Sequence, residues 1–503
     1  MARELTSLLS GMGPKVAGHG PWPRHMLDRA AWLELLRHLA QEDFPLLGLW
    51  GDTDTVHLAL RDGASVAVAS LSCGDRRYPA VSPVRPSAGR LERMARDLFG
   101  LEAEGAADRR PWLDHGKWLL ARPEGSPTPP AAEAAYEFLP AEARGAVLHQ
   151  IPVGPVHAGI IEPGHFRFHV NGETVVRLEA RLGFTHKGIE AQMVGRTPHD
   201  ASRLACRISG DSAVAHSLAF ARAVEAAVGL QAPARAHHLR AVMAELERLA
   251  NNFGDIGAIC NDATFPLLLA QFTILREQVL RAAQSCFGHR LMMDRIVPGG
   301  VTTDLDGSGA AQLVDLVRRL RPTLADQLRV YETRSSLLDR TVLTGIVKAE
   351  LAQRFGAGGY VGRASGQGQD ARRNPGYPPY TELDFPVAVT TQGDVDARVQ
   401  IRAQEAAASL DLIERLLGGL PTGPILSELA MRAGEGMALV EGFRGEILTW
   451  VRLGEDGLIQ RCHPRDPSWF QWPLLEAAIE GNIVADFPLC NKSFNCSYSG
   501  VDL

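Results

Sequence analysis

Apolar residues return at every third or fourth position through 234–259 (ARAHHLRAVMAELERLANNFGDIGAI) and 265–288 (FPLLLAQFTILREQVLRAAQSCFG). That spacing predicts two long helices, each apolar around enough of its circumference to be a buried member of a bundle. The same period predicts helices over 309–338 and 397–420, the second ending at paired glycines. Because these helices are so apolar, partner proteins are expected to cover some of their faces. Nearer the N-terminus the pattern changes. Residues 26–42 carry leucines and alanines at helical spacing, followed by the short apolar runs LLGLW, VHLAL and SVAVASL with GDTD and RDGA turns between them. These read as a helix and three strands of a small α/β unit. Further on, HFRFHV and TVVRLEARL flank Asn171-Gly172, a hairpin signal, because both central residues of a type I′ turn take positive φ. VEGFRGEILTWVRL at 440–453 reads as strands again, whereas the glycine-rich 356–380 reads as loop. The fold class is therefore α+β. A small N-terminal α/β domain precedes a mainly helical one that opens on a β-hairpin and closes on a β segment.

The boundary between the two is set by composition. Residues 121–145 (ARPEGSPTPPAAEAAYEFLPAEARG) are rich in Pro, Ala and Glu, a semi-rigid linker composition. This gives an N-terminal domain over 1–120 and a large domain over 146–503. In the first, LERMARDLFGLEAEGAADRRPWL reads as a helix ended by Gly100 and a charged loop in which Arg109 and Arg110 form an interface or salt-bridge pair.

Composition narrows the class. The net charge of -6 and the ordinary share of charged residues, 22%, argue against nucleic acid as the main partner. No apolar run approaches the ~20 residues that span a bilayer, and the start, MARELTSLLSGMGPK, lacks the apolar core of a secretory signal. A cytoplasmic protein is expected, with any membrane link made through partners. The 7 cysteines are scattered with no Cys-x-x-Cys pair. They suit free thiols better than a disulfide framework, and do not supply an iron–sulfur or tetrahedral zinc site.

The candidate chemistry is concentrated between Gly154 and Glu225. His157 and His165 lie in GPVHAGIIEPGHFRF, His186 and Glu190 in LGFTHKGIE, and Asp211 and His216 in CRISGDSAVAHSLAFARAVE. Each has a plain structural reading beside a functional one. His157 suits a satisfied loop histidine, His186 and Glu190 an i,i+4 pair on one helix face, and Asp211, beside Ser209 and Ser212, a helix cap. Arg444 and Glu446, in EGFRGE, suit a buried ion pair. Gly356, Gly358 and Gly359 are not set between a strand and a helix, so they do not make a dinucleotide-binding loop.

GPVH, HKGIE and RISGDSAVAHSLAF resemble the large catalytic-arm subunit shared by respiratory complex I and the membrane-bound nickel-iron hydrogenases of the formate hydrogenlyase type. PGGV at 298–301, GRASGQGQDARR at 362–373 and EGFRGE at 441–446 extend the likeness. Asp97-Leu98-Phe99-Gly100 with Asp108-Arg109-Arg110 is similar to the signature of the small arm subunit of complex I. The order small-subunit domain, linker, large-subunit domain matches the fused form. In the family's hydrogenases four cysteines hold the metals, in the frames Arg-x-Cys-Gly-x-Cys and Asp-Pro-Cys-x-x-Cys. Here those positions are Ser209, Ser212, Ser497 and Gly500, with Cys496 one residue away. Nickel and iron at low valence require soft thiolates, so no nickel-iron centre is expected.

The resemblance to complex I implies a quinone in place of the metals. It assigns His165 as the histidine at the quinone head group and Asp262 as its carboxylate partner, which together would deliver a proton. It marks Glu190 for a proton route and leaves Arg207 and His216, with His157, His186, Asp211 and Arg444, to line the route or a polar pocket. The tyrosine that complex I uses has no counterpart, since no Tyr lies between 143 and 330. The implied setting is the cytoplasmic side of the cell membrane. There the chain would dock a small iron–sulfur subunit and membrane-embedded channel and antiporter-like subunits. The alternatives are a non-catalytic structural or coupling subunit of the same complex, and a true hydrogenase.

Overall fold

The computed structural model describes residues 4–125, 136–140, 148–159 and 161–503. Most of the linker expected over 121–145 lies outside the described residues. The chain begins with α1 (Leu5–Met12), β1 (His19–Gly20) and β2 (Arg24–Leu27), then α2 (Arg29–Gln41). The helix expected from residue 26 starts three residues later, because Met26 and Leu27 pair with Ser70 and Leu71 as a strand. Asp28 then caps the helix, its carboxylate accepting the Ala31 N–H at 2.8 Å. The three apolar runs form β3 (Leu46–Gly51), β4 (Thr55–Asp62) and β5 (Ser65–Ser72). With β2 they make a sheet of order β2-β5-β4-β3, in which only β2 runs parallel to its neighbour. β6 (Arg77–Pro79) and β7 (Glu102–Glu104) pair beside α3 (Gly89–Phe99). That helix ends as expected on Gly100, left-handed at φ 69°, where a Cβ would be strained. Arg109 pairs with Glu102 at 2.7 Å and Arg110 with Asp108 at 2.7 Å.

The second part opens with a three-stranded sheet, β8 (His149–Val153), β9 (His165–Asn171) and β10 (Thr174–Arg181). The hairpin is present, but its turn falls one residue later than expected. Asn171 pairs with Thr174, so the loop is 172–173, and of its two residues Gly172 takes positive φ, 58°.

Helices α4 (Ile189–Met193), α5 (Pro198–Ala205), α6 (Ala213–Val228), α7 (Ala234–Asp262) and α8 (Pro266–Phe287) follow. A short ribbon, β11 (Ile296–Val297) with β12 (Gly300–Val301), leads to α9 (Gly307–Thr333) and α10 (Ser335–Thr341). These two replace the single helix expected over 309–338, because Arg334 at φ -96°, ψ 100° leaves the helical region. The segment expected to be loop holds α12 (Gly359–Ala364) after α11 (Ala349–Arg354), and α13 (Val395–Gly418) completes the bundle. A last sheet, β13 (Gly434–Gly442), β14 (Gly445–Leu453) and β15 (Ile459–Arg465), is followed by α14 (Ser468–Ala478) and α15 (Phe487–Phe494).

α7 is the axis of the molecule, packed against α8, α13, α15 and α6. Leu239, Leu246, Leu249, Phe253, Ile256 and Ile259 are all fully buried along it, each worth about 1.5–3 kcal/mol of apolar burial. Of the long helices, α7 is enclosed by the chain's own helices, whereas α8 leaves Leu267 and Ile274 about half exposed. The two parts of the chain are also joined. β1 adds in parallel to the edge of β13, and Arg24 reaches Glu435 at 2.8 Å. Leu47, Trp50 and Val68 of the first sheet share a core with Met437, Leu448 and Trp450 of the last. Among the described residues no helix is long and apolar enough to cross a membrane.

Candidate functional site: the former ligand positions

Ser209 and Ser212 lie just before α6, while Ser497 and Gly500 follow α15. The fold brings all four to one buried point. The Ser209 and Ser497 hydroxyls are 2.9 Å apart, the Gly500 N–H donates to Ser497 Oγ at 2.9 Å, and Ser209 Oγ donates to Asp211 at 2.9 Å. Arg444, at the tip of the β13–β14 hairpin, clamps Asp211 with both terminal nitrogens, at 2.8 and 2.6 Å, and donates to Ser212 Oγ at 3.1 Å. Two parallel N–H···O bonds make this a strong, oriented pair. Burial alone would raise the Asp211 carboxyl, but the Arg444 guanidinium outweighs it and holds it below the ordinary value. Asp211 thus binds a guanidinium instead of capping a helix. Arg444 and Glu446 each form a buried ion pair, but with different partners, since Glu446 meets Arg61 and Arg465.

His216 is fully buried one turn into α6, and its Nε2 lies 3.0 Å from Asp466 Oδ2. Burial raises Asp466, and the His216 hydrogen bond then pulls it down, to about 2. Asp466 also accepts the Ser468 N–H at 2.8 Å, and Ser468 in turn accepts the Ser497 N–H at 2.8 Å. The set is closed below by Asn495, whose side-chain amide donates to Asp255 of α7 at 2.8 Å, while Asp255 faces Arg402 at 3.1 Å.

The point where the four expected ligand positions meet is therefore filled by protein hydrogen bonds. Three hydroxyls and a glycine do not fit a thiolate-held nickel-iron centre. Beside Asp211 a crevice bordered by Glu247 and Arg276 has a volume of about 10 Å³, room for a single water and too small for a quinone ring.

The remaining candidates divide. His157 and His165 sit on the loop 154–165, directly over the 497–500 segment. Glu162 accepts the Ser499 N–H at 3.3 Å, and Gly164 packs so closely on Tyr498 that a Cβ would come within 2.6 Å of the ring. Tyr498 thus sets a tyrosine beside this loop, from the far end of the chain. His157 donates from Nε2 to the Gly164 carbonyl at 2.8 Å, and His165 from Nδ1 to the Gly154 carbonyl at 3.2 Å. Burial first, then Arg167, lowers the His165 imidazole below its ordinary value, so it is neutral near pH 7.

Asp262, at the end of α7, has Asn261 as its hydrogen-bond partner at 3.4 Å; His165 and Asp262 share no hydrogen bond. The carboxylate of α7 that reaches the cluster is Asp255, two turns earlier on the same helix.

His186 and Glu190 do not form the i,i+4 pair, because the left-handed Gly188 starts α4 after His186. His186 faces the Asp502 carbonyl at 3.1 Å, and Glu190 binds His463 at 2.8 Å and Arg461 at 2.5 Å. Arg207 stands apart, pointing outward to Asp294 at 2.7 Å. Asp466, Asp255 and His463 escaped the sequence reading, and Asn495, which stands at the Asp of the second ligand frame, was given no role there.

Comparison with known proteins gives the family. The family described as "Respiratory-chain NADH dehydrogenase, 49 Kd subunit" matches residues 263–431, "Nickel-dependent hydrogenase" matches 187–253, and "Respiratory-chain NADH dehydrogenase, 30 Kd subunit" matches 26–130. Formate hydrogenlyase subunit 5 of Escherichia coli is 31% identical over 84% of this chain and 77% of its own length. The C/D subunit of the NADH-quinone oxidoreductase of Phocaeicola vulgatus is 27% identical over 86% of this chain and 88% of its own. One chain in the structure of the membrane-bound sulfane sulfur reductase, an archaeal respiratory membrane complex, superposes with a TM-score of 0.67. It is 26% identical and covers 71% of this chain and 98% of its own. Matches to a 30 Kd and a 49 Kd subunit in one chain define a fused arm of a membrane-bound oxidoreductase. The chain belongs to the family of catalytic-arm subunits shared by formate hydrogenlyase-type hydrogenases and NADH-quinone oxidoreductases.

Proposed function

We propose that the chain is the metal-free large arm of a membrane-associated, complex I-like oxidoreductase complex. It takes its electrons from a small iron–sulfur subunit docked beside the loop 154–165. Membrane-embedded channel and antiporter-like subunits anchor it on the cytoplasmic side of the membrane. The observation that carries this reading is the direct Ser209–Ser497 contact at 2.9 Å, tied to the Gly500 N–H. With these bonds in place, the four positions matched to the hydrogenase ligands offer hydroxyls and a backbone N–H instead of thiolates, with Cys496 buried beside them. The redox partner would instead meet the chain on the outer loop, where Val156 is 78% exposed beside His157. A quinone there would supply a two-electron acceptor. The neutral His165 has its Nδ1–H committed to Gly154, and its Nε2 accepts from Arg167 Nε at 3.5 Å, a long bond that a head group would displace. Asp255 and Asp211, held by Arg402 and Arg444, place charge beneath. Asp262 remains a proton-supplying partner for His165 only through intervening water.

A second reading, a structural and coupling subunit without its own acceptor site, is favoured by the tight packing where the four expected ligand positions meet. One preparation of the intact complex tests both. Elemental analysis is expected to find no nickel attributable to this chain, and about one nickel per chain retained after chelation would overturn the metal-free reading. His165→Ala is expected to abolish quinone reduction while the partner's cluster is still reduced. Unchanged quinone turnover would leave the coupling reading standing.

A further inference from the structure

A second cluster of buried charge lies where α7, α12, α13 and β13 meet the segment 365–380. It contains four carboxylates, Glu245, Asp370, Glu405 and Glu441, and three guanidiniums, Arg248, Arg363 and Arg372, none more than 5% exposed. Glu245 is fully satisfied: Tyr380 and Ser409 each donate to it at 2.6 Å and Arg372 at 3.0 Å, with Arg248 3.4 Å away. Asp370 takes two bonds from Arg372, at 3.0 and 2.7 Å. Arg363 is shared by the other two acids. It donates to Glu441 Oε1 at 2.9 Å and twice to Glu405 Oε1, at 2.9 and 2.6 Å. The second oxygen of Glu441 accepts the Ala371 N–H at 2.9 Å.

Two features are left over. Four carboxylates against three guanidiniums leave one negative charge without a cation, and a buried, uncompensated carboxylate is relieved most cheaply by binding a proton. The Oε2 of Glu405 is buried with no hydrogen-bond partner among the described residues. The Glu405 side chain also lines a cavity of about 290 Å³, together with Arg363, Asp370 and Arg372. At about 30 Å³ per molecule that is space for on the order of ten waters.

We propose that this cluster is a proton-storing site, in which the Glu441–Arg363–Glu405 triad holds one exchangeable proton and trades it with water in the adjoining cavity. The surrounding charge agrees. Burial, then the Asp370 charge, pushes Glu441 up to about 7, so the site is half-loaded near neutrality. Glu247, beside Arg248 on α7, accepts the Val214 and Ala215 N–H groups and is pushed up to about 8 by burial, so near neutrality it adds little further negative charge. Glu446, paired with Glu441 across the hairpin, is neutralised by Arg61 and Arg465. Arg222 of α6 lies over the Tyr377 ring at 4.8 Å, and Tyr377 Oη accepts the Glu441 N–H at 3.2 Å. Arg248 donates to the Glu441 and Gly442 carbonyls, tying the store to the hairpin that carries Arg444. The site stands independently of which acceptor the complex uses.

Infrared difference spectra of the intact complex, without turnover, between about pH 6 and about pH 8 read the store directly. Glu247 and Glu124, pushed up to about 8 and about 7, contribute carboxylic-acid C=O bands in the same range. The expected result is one further band that disappears as pH rises and is missing in Glu441→Gln alone. Glu405→Gln removes the excess charge, leaving three carboxylates for three guanidiniums, and should weaken proton binding at least about tenfold. Stability gives a second readout. Glu441 is raised in the folded chain, so between its ordinary 4.5 and about 7 the folded chain holds a proton that the unfolded chain has lost. Its contribution therefore declines as pH rises through that window, a decline that Glu441→Gln should abolish. A titrating C=O spectrum identical with and without Glu441→Gln, or a Glu441 band unmoved by Glu405→Gln, would overturn the proposal, as would no titrating band at all.

Discussion

Gly500 shows how tightly the buried cluster is packed at a single position. A Cβ there would lie 2.8 Å from Asp466 Cγ and 2.9 Å from Ser497 Oγ, closer than side-chain carbons approach. Asp466 cannot withdraw, because it is held by His216 and by the Ser468 N–H. Gly500→Ala, and equally Gly500→Cys, should therefore cost about 1–3 kcal/mol of overpacking strain. Gly210→Ala, where nothing lies within 4 Å, should stay within about 0.5 kcal/mol. Denaturant midpoints of the two alanine variants check this, and a silent Gly500→Ala would mean that the site has slack. Reinstating a single cysteine at 500 should accordingly disturb the Asp466–His216 pair before it recruits any metal. Ser209, Ser212, Ser497 and Gly500 were legible as candidate positions because each lies in a short frame of fixed spacing. Asp466 and Asp255 were not, because hundreds of residues of chain separate them from the groups they hold, and no local spacing encodes such a contact.

At the scale of elements, α15 is held in place by α7 and α13, chiefly through Arg402. Its guanidinium is fully buried, faces Asp255 at 3.1 Å, donates to the Ser493 carbonyl at 2.7 Å and lies 3.5 Å over the Tyr360 ring. Arg402→Met keeps much of the stem's volume but leaves a buried carboxylate and a carbonyl without a donor. The expected cost is about 3–5 kcal/mol. Amide exchange should quicken over 487–494 while β13 to β15 stay protected; equal loosening of both would show that α15 is not the element Arg402 secures. The elements themselves were largely legible, since helical periods in 234–259 and 265–288 and alternation around 165–181 reflect real burial. The misses were local competitions. Met26 and Leu27 pair with β5 instead of starting a helix, Arg334 leaves helical geometry, and Gly172, not Asn171, opens the hairpin turn.

For the molecule as a whole, the linker read from composition marks a change of family resemblance more clearly than a change of folding unit. The first and last sheets face each other, and the seam between them is aromatic. Trp50 stacks on His57 at 5.3 Å and on His463 at 5.3 Å, and lies 5.6 Å from Trp450. Glu190 holds His463 from behind, so a group expected on a proton route also braces the joint between the two parts. β1 extends the last sheet, and Arg24, Arg61 and Arg452 of opposite parts pair with Glu435, Glu446 and Asp52 across it. Separate melting would expose this shared core, including fully buried Trp50 and Trp450, at about 3–5 kcal/mol for each large aromatic lost. The full-length chain should therefore unfold in one cooperative transition, and Trp50→Ala should lower that single midpoint without splitting it. Calorimetry that resolves two transitions in the unaltered chain, or a Trp50→Ala variant in which only one part melts early, would show that the seam is a contact between independent domains.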